Sequence, residues 1–223
     1  MTITINSATL FLTFVFNVLL GVFVLLRSKK QDAGLVNNFS LFTLFLSFWI
    51  FCFFLSSLTI NYQVTLLGAR LTSIGALFFP LHFMLFSFVF LEKKIKISYL
   101  MLLYLILGII CSASISTNYY IRAVEIAGNN YDYLVGQYYY LVPFLLLSLM
   151  ASGLYAQIKA YQLQNNIRKN QIRYLFFGVF VALLIGSITN IFLPMAGIRI
   201  FNFLGPFGTV FFVGFAAFSL FFY

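Results

Sequence analysis

Seven long apolar stretches divide this chain of 223 residues, and basic residues collect in every second segment between them. The hydrocarbon core of a bilayer requires about 20 apolar residues for each helical span. The stretches lack the alternation of polar and apolar residues that barrel strands have, so we expect helices. The predicted spans are Ile5–Leu26, Asn38–Thr59, Thr65–Leu91, Ser98–Ile115, Tyr138–Tyr161, Tyr174–Ala196 and Phe203–Tyr223.

Composition excludes a water-soluble fold. Hydrophobic residues make up 63% of the chain and charged residues 8%, whereas soluble domains are roughly half apolar and a quarter charged. The segments between the spans hold no linker or low-complexity tract. We therefore predict one domain over residues 1–223, an all-α bundle of seven transmembrane helices in the plasma membrane.

The distribution of charge predicts the orientation of this bundle. Ten of the thirteen lysines and arginines lie within or beside the segments that follow the first, third and fifth spans. Cytoplasmic loops carry an excess of these residues, so the N-terminus is expected outside and the C-terminus in the cytoplasm. Topology thus accounts for the net charge of +9, and no nucleic-acid partner is expected. The ten residues are Arg27, Lys29, Lys30, Lys93, Lys94, Lys96, Lys159, Arg168, Lys169 and Arg173.

The connection between the fourth and fifth spans has a pattern of its own. Two β-rich runs flank Gly128, Asn129 and Asn130, which are residues that favour tight turns. We predict an extracellular β-hairpin in which Tyr119–Ile126 pairs with Tyr131–Val135. Two roles stay open for it, a passive connector and a lid over the outer mouth of the bundle. The tyrosines on this side are interpreted as anchors in the headgroup zone.

Four residues on the predicted outer half are candidates for binding an unknown small ligand. Arg70 lies near the outer end of the third span, where it either extends to the interface or binds an anion or a carbonyl. Pro194 cannot donate a hydrogen bond to the carbonyl of Asn190, so that oxygen is free and a kink is expected. Arg199 lies in the adjoining outer loop.

A second group of residues is predicted to have structural or transmission roles. A single histidine, His82, lies near the middle of the third span, and no span contains a carboxylate. We therefore expect it to be a hydrogen-bonded core residue rather than a ligand or a proton relay. The whole group is Asn17, Trp49, Pro80, His82, Gly205 and Pro206.

The sequence gives no indication of an enzyme active site. The only acidic residues are Asp32, Glu92, Glu125 and Asp132, and all lie in predicted loops. No carboxylate pair or metal cluster is therefore expected in the membrane. Neither a nucleophile elbow nor a glycine-rich phosphate loop is present, so we predict no catalytic residue, metal or cofactor.

A family resemblance rests on scattered positions over the whole chain. It is strongest from Tyr131 to Tyr223 and weaker at Trp49 and Pro80. The positions in the stronger part are Gly136 with the aromatic run after it, Arg168–Tyr174 leading to Gly178, Asn190 with Pro194, and Leu204-Gly205-Pro206. With these positions the chain resembles the N-terminal seven-helix sensor region of bacterial histidine kinases and related signalling proteins.

The resemblance implies an integral membrane sensor that passes an extracellular or intramembrane signal to a cytoplasmic effector such as a histidine kinase. It also implies the lipid bilayer, a cytoplasmic signalling module in cis or in trans, and a homodimer as partners. His82 is not followed by the acidic residue and proline of a phosphoacceptor motif, so no kinase activity is expected of this chain alone. A small transporter or channel subunit, or a protein that docks other membrane proteins, stays as an alternative.

Overall fold

A computed structural model describes residues 4–27, 33–92, 95–127, 130–189, 193 and 204–222. These residues form seven helices and a two-stranded sheet, in keeping with the predicted all-α bundle. The helices are α1 Ile5–Arg27, α2 Ala33–Ser57, α3 Tyr62–Phe90, α4 Ile97–Ser116, α5 Leu141–Leu163, α6 Asn166–Ser187 and α7 Leu204–Phe222. The strands are β1 Ile121–Ala127 and β2 Asn130–Val135.

Five of these helices are long and apolar enough to cross a membrane, namely α1 to α5, and α7 contributes a shorter apolar stretch, Leu204–Leu220. The helix α6 begins at Asn166 rather than at the predicted Tyr174, so Arg168 and Arg173 are helical. Similarly, α2 begins at Ala33 rather than at Asn38. The ends predicted at 196, 203 and 223 lie outside the described residues. The orientation stays a prediction.

Large apolar side chains face outwards along the helices. Leu12 on α1 and Met101 on α4 are each 67% exposed, and Phe180 on α6 is 62% exposed. Water would penalise such a surface, whereas lipid tails solvate it at no cost. The exposed apolar faces are therefore those of a bundle surrounded by lipid.

The helix α3 lies at the centre of the bundle, where it packs against α2, α4, α5 and β1. Its 29 residues are continuous through Pro80, which is buried. Because proline has no backbone N–H, the carbonyl of Ala76 loses its usual helical donor. Small residues permit the contact with α2: a Cβ added to Gly75 would lie 2.4 Å from Trp49 Cβ, and one added to Gly68 would lie 2.6 Å from Ser56 Oγ.

The last helix, α7, packs against α6 and α1. Gly178 permits a close approach, since a Cβ there would lie 3.1 Å from Phe212 Cα. Asn17 Nδ2 donates a hydrogen bond to Thr209 Oγ1 at 3.1 Å. Near the other end of α7, Gln171 Nε2 donates to the carbonyl of Ser219 at 3.3 Å. Hydrogen bonds therefore join the first half of α7 to α1 and the last turn of α7 to α6.

The connection between α4 and α5 contains an antiparallel strand pair, β1 with β2, whose register places Val124 opposite Tyr133. A strand pair was predicted here, but β1 begins at Ile121 rather than at Tyr119, and the ladder is irregular between Ile121 and Ala123. Residues 128 and 129 of the predicted turn lie outside the described residues. The sheet lies where α2 ends and α3 begins, and we call this the sheet end of the bundle.

Candidate functional site

A partly open cavity of about 140 Å³ lies at the sheet end, between α2, α3, α5 and the two strands. We call it the tyrosine cavity. The helices supply mostly small or apolar side chains, and the sheet and the turn before α5 supply phenol rings. The lining residues are Trp49, Phe53, Ala69, Thr72, Ala76, Tyr120, Ile121, Tyr131, Tyr133, Tyr139, Val142, Pro143 and Leu146.

Three of the four tyrosines of the cavity form one packed group. The rings of Tyr120 and Tyr139 are stacked, with centroids 5.5 Å apart and planes inclined at 15°. The ring of Tyr133 lies 5.9 Å from that of Tyr139, and their hydroxyl oxygens are 3.1 Å apart. Two hydroxyls that share one hydrogen bond use only one of their two protons in it. The second proton is not used within this pair.

Thr72 on α3 brings a further hydroxyl to the cavity. Its Oγ1 donates to the carbonyl of Ala69 at 2.6 Å and lies 3.4 Å from the hydroxyl of Tyr120. Because the threonine proton is already used, Tyr120 is the donor in that long contact. Burial raises the pKa of Tyr120 to about 12 and also raises the pKa of Tyr131. Both hydroxyls are therefore protonated near neutral pH.

Arg70 lies outside the cavity lining and hydrogen-bonds the backbone of a residue that belongs to it. Its Nε donates to the carbonyl of Ile121 at 3.0 Å, and its guanidinium also donates to the carbonyl of Ile115 at 3.3 Å and to Asn118 Oδ1. These bonds join α3 to the end of α4 and the start of β1. The carbonyls that Arg70 binds thus belong to the chain itself, and its predicted role in ligand binding stays a prediction.

Gly136 closes the base of the sheet beside these tyrosines. Its N–H donates to the carbonyl of Tyr120 at 2.8 Å. A Cβ at this position would lie 2.3 Å from the carbonyl oxygen of Tyr119 and 2.4 Å from that of Asn118. No side chain fits there without moving backbone, so glycine fixes how the chain turns from β2 towards α5.

Comparison with known families identifies the class of protein to which this cavity belongs. The model of the family described as the N-terminal 7TM region of histidine kinase matches residues 9–223. The chain belongs to this family. It is therefore a multi-pass membrane protein of the sensor and signalling type, and the match covers the sensor region, without a catalytic domain. Searches of curated proteins and of solved structures gave no match.

The structure brings two of the residues predicted for this sensor region close to the cavity. Trp49 lines it directly, and Arg70 holds Ile121, another lining residue. Pro80 lies one turn beyond Ala76 on α3. Three further candidates, Asn190, Pro194 and Arg199, lie outside the described residues, so their predicted roles stay predictions.

His82 lies deeper in the core of the sensor region, away from the cavity lining. Its Nε2 is 3.0 Å from the hydroxyl of Tyr104 on α4, and its ring stacks on Phe45 of α2 with centroids 5.4 Å apart. Its Nδ1 has no partner within the part of the chain that the structure describes. The residue is thus a hydrogen-bonded core histidine, and its role in transmission stays a prediction.

The other transmission candidates meet where α1 contacts α7. Gly205 and Pro206 are in the first turn of α7, and Thr209 Oγ1 donates to the carbonyl of Pro206 at 2.6 Å. The same Oγ1 accepts from Asn17 at 3.1 Å. Asn17 is buried, and its Oδ1 has no partner among the described residues. This group is a small polar junction in an apolar interface.

Sequence analysis missed the four tyrosines as cavity residues, because it assigned Tyr120 and Tyr139 to the headgroup zone and treated Tyr131 and Tyr133 only as strand residues. A signal was available: half of the 14 tyrosines fall between Tyr119 and Tyr140. Within the sheet, Tyr131 and Tyr133 are two residues apart and so share one face of β2. A cluster of phenol rings beside a predicted strand pair indicates a packed aromatic face as well as a membrane interface.

Proposed function

We propose that the chain is an integral membrane sensor that receives an extracellular or intramembrane signal in the tyrosine cavity and passes it through α7 to a cytoplasmic effector such as a histidine kinase. Membership of the family supports the sensor role, and the cavity supplies a concave, mostly apolar site with a few polar groups, which is typical of ligand pockets. The sheet end lies outside the cell in this proposal, with the basic residues in the cytoplasm.

A chain of aromatic contacts from the cavity to α7 carries this proposal. Trp49 lines the cavity, and its ring lies 5.5 Å from that of Phe79 on α3. Phe79 contacts Phe42 on α2 at 6.1 Å, and Phe42 contacts Phe212 on α7 at 5.1 Å. Packed rings adopt discrete arrangements rather than sliding continuously. A change in the cavity that moves Trp49 thereby favours one of two packings of α7.

A kinase reporter tests the proposal without a known ligand. A histidine kinase module is fused after residue 223, and its autophosphorylation is measured in membranes. Ala76→Leu fills part of the cavity and is expected to shift the output, because the larger side chain displaces the rings around it. Phe42→Leu in the same chain is expected to suppress that shift, since it breaks the contact with Phe212.

Two matched variants serve as controls for this experiment. Ala151→Leu adds the same atoms to an exposed position on α5, and Phe180→Leu makes the same change as Phe42→Leu on the lipid-facing side of α6. Both are expected to leave the output unchanged. If Ala76→Leu is inserted normally but has the output of the parent chain, the cavity is not the input site. Solute flux through proteoliposomes would instead favour the transporter alternative.

The orientation is tested separately by cysteine labelling in intact cells. The native Cys52 and Cys111 are buried, so an added cysteine is labelled selectively. Tyr119→Cys at the sheet end is expected to react with a membrane-impermeant maleimide from outside, because Tyr119 is 52% exposed. Lys96→Cys should react only after the membrane is permeabilised. The reverse pattern would place the cavity in the cytoplasm and contradict an extracellular input.

A further inference from the structure

The tyrosine cavity also limits the chemistry of what it can bind, and this inference rests on the sensor function proposed above. Its volume is about 140 Å³. An engineered protein cavity of roughly 150 Å³ accommodates benzene. The space inside the cavity therefore fits one ring, and any larger ligand would extend through its open side.

Charge is the second limit. The described residues that line the cavity include no aspartate, glutamate, histidine, lysine or arginine, and Arg70 binds Ile121, Ile115 and Asn118 outside that lining. A carboxylate ligand would be desolvated without a partner, at a large cost in free energy. An ammonium ligand would gain cation–π contacts with the rings, but it would also face the positive end of α5, whose first turn contributes Val142 and Pro143. A neutral ligand avoids both penalties.

The rings and hydroxyls around the cavity are the third limit. Stacked and edge-on contacts with Tyr120, Tyr133 and Tyr139 favour an aromatic ligand over an aliphatic one of equal size. The hydroxyls of Tyr133 and Tyr139 are 3.1 Å apart and leave one proton unused within the pair. Among the described residues, the Tyr120 hydroxyl makes one hydrogen-bond contact, at 3.4 Å to Thr72 Oγ1. A ligand oxygen that accepts from one of these tyrosine hydroxyls would form a stronger hydrogen bond than the hydroxyl makes without a ligand.

We infer that the tyrosine cavity binds a small, uncharged, single-ring aromatic molecule that carries a hydroxyl group, the class to which phenols belong. The ring is sandwiched by the phenol side chains and Trp49. The ligand hydroxyl accepts from the proton that the pair of Tyr133 and Tyr139 leaves unused. A ligand in the cavity then contacts the ring of Trp49, which is the first ring in the series of contacts that leads to α7.

Binding is measured by fluorine NMR on the whole chain in detergent micelles, with 4-fluorophenol and fluorobenzene as probes that differ only in the hydroxyl. Saturable binding of 4-fluorophenol is expected, tighter than that of fluorobenzene by about two- to tenfold, the range for one hydrogen bond. Partition into micelles is the same for all variants. It is subtracted with Ala76→Leu, which is expected to abolish saturable binding, whereas Ala151→Leu retains it.

A second variant keeps the test valid if Ala76→Leu does not fold. The double change Tyr133→Phe with Tyr139→Phe removes both hydroxyls and leaves the rings in place. It is expected to bring the affinity for 4-fluorophenol down to that for fluorobenzene, while fluorobenzene still binds. Tyr138→Phe is the matched control, because Tyr138 is 55% exposed and does not line the cavity. It should keep the preference for the phenol.

Several outcomes would overturn the inference. These are tighter saturable binding of 4-fluorobenzoate than of 4-fluorophenol, displacement of 4-fluorophenol by a lower concentration of tetramethylammonium than of unlabelled phenol, equal binding of 4-fluorophenol by the double variant, and no saturable binding at all. The result is also separable from the sensor function. If 4-fluorophenol binds as expected but leaves the kinase reporter unchanged, the ligand class stands and the sensor function fails. If Ala76→Leu shifts the reporter but no phenol binds, the ligand class fails alone.

Discussion

The sheet end and the opposite end of the bundle arrange their polar groups differently. At the sheet end, half-buried Arg70 donates to carbonyl and amide oxygens of the chain. At the opposite end, Arg168 pairs with Glu92 at 2.7 Å, and the Glu92 side chain is 65% exposed. Lys159 Nζ lies 4.8 Å from the centroid of the Tyr155 ring. The polar group at the sheet end is bound within the fold, whereas the charged groups at the opposite end lie at an exposed surface.

This difference separates the roles of the two ends. A binding cavity needs walls that keep their geometry without a ligand, because ordering them on binding would reduce the affinity. Arg70 and Gly136 provide such walls by fixing backbone rather than by facing the cavity. Exposed cations contribute little to stability but set the position of the bundle in the membrane. The same type of substitution should therefore lower the free energy of unfolding more at the sheet end than at the opposite end.

The largest effect is expected from Gly136→Ala. The new Cβ would meet the carbonyl oxygens of Tyr119 and Asn118, and relieving such overpacking costs about 1–3 kcal/mol. Thermal unfolding of the purified chain in detergent measures it. Gly108→Ala is the control, since a Cβ there has no neighbour within 4 Å, and it should gain up to about 1 kcal/mol of helix propensity. Equal loss in both variants would contradict the claim that the sheet end is the more rigid.

Arg70→Met is expected to have the next largest effect, about 2 kcal/mol, because it leaves the carbonyls of Ile115 and Ile121 without their charged donor. Hydrogen exchange should rise in residues 118–127, which Arg70 attaches to α3. Arg70→Lys should restore only part of the protection, since lysine lacks the planar fork of donors. Arg122→Met, at an exposed position on β1, is expected to stay within about 0.5 kcal/mol of the parent.

High pH should destabilise the sheet end. Burial raises the pKa of Tyr120 from 10.0 to about 12, so the unfolded chain loses this proton first. The stability that Tyr120 contributes is complete below pH 10 and is lost as the pH rises towards 12. The loss is expected to reach about 1 kcal/mol near pH 11. Tyrosinate absorbance measures the ionisation, and thermal unfolding measures the loss of stability. Tyr120→Phe should remove the part of this loss that comes from Tyr120. An unchanged pH profile in that variant would show that the loss comes from other groups.

The smallest effect is expected from Glu92→Gln, at the end of the bundle opposite the sheet end. An exposed ion pair contributes about 0–1 kcal/mol, and salt screens it. Thermal unfolding of Glu92→Gln and Arg168→Gln should therefore differ little from the parent at low salt and not at all at high salt. A loss larger than that of Arg70→Met would reverse the comparison between the two ends.

The sequence predicted the helices well, because the need for long apolar runs in a bilayer leaves a strong signal. It also predicted a strand pair between α4 and α5 from β-rich residues around Gly128 and Asn129. It placed the start of α6 too late, since it treated the cations at 168–173 as a loop. Charged residues are tolerated at a helix end that lies in the headgroup zone, and a hydropathy pattern does not distinguish such a turn from a loop.

The cavity was much harder to predict than the fold. Arg70 and Trp49 were candidates because their residue types are unusual inside a span, yet their partners, Ile121 and Phe79, have no distinguishing sequence signal. Tyr120 and Tyr139 are 19 positions apart and stack only because the strands return the chain to α3. Such pairings depend on how the connection folds back, which local composition does not encode.

Composition and the spacing of charges thus determined by themselves that this chain is a helical membrane bundle, because the bilayer imposes the same strict requirement on every span. Tertiary structure alone decided that four tyrosines, a threonine and a tryptophan line one neutral cavity. The physical reason is range: solvation by lipid acts on each segment independently, whereas ring stacking and shared hydroxyl protons require atoms from distant segments to meet within a few ångströms.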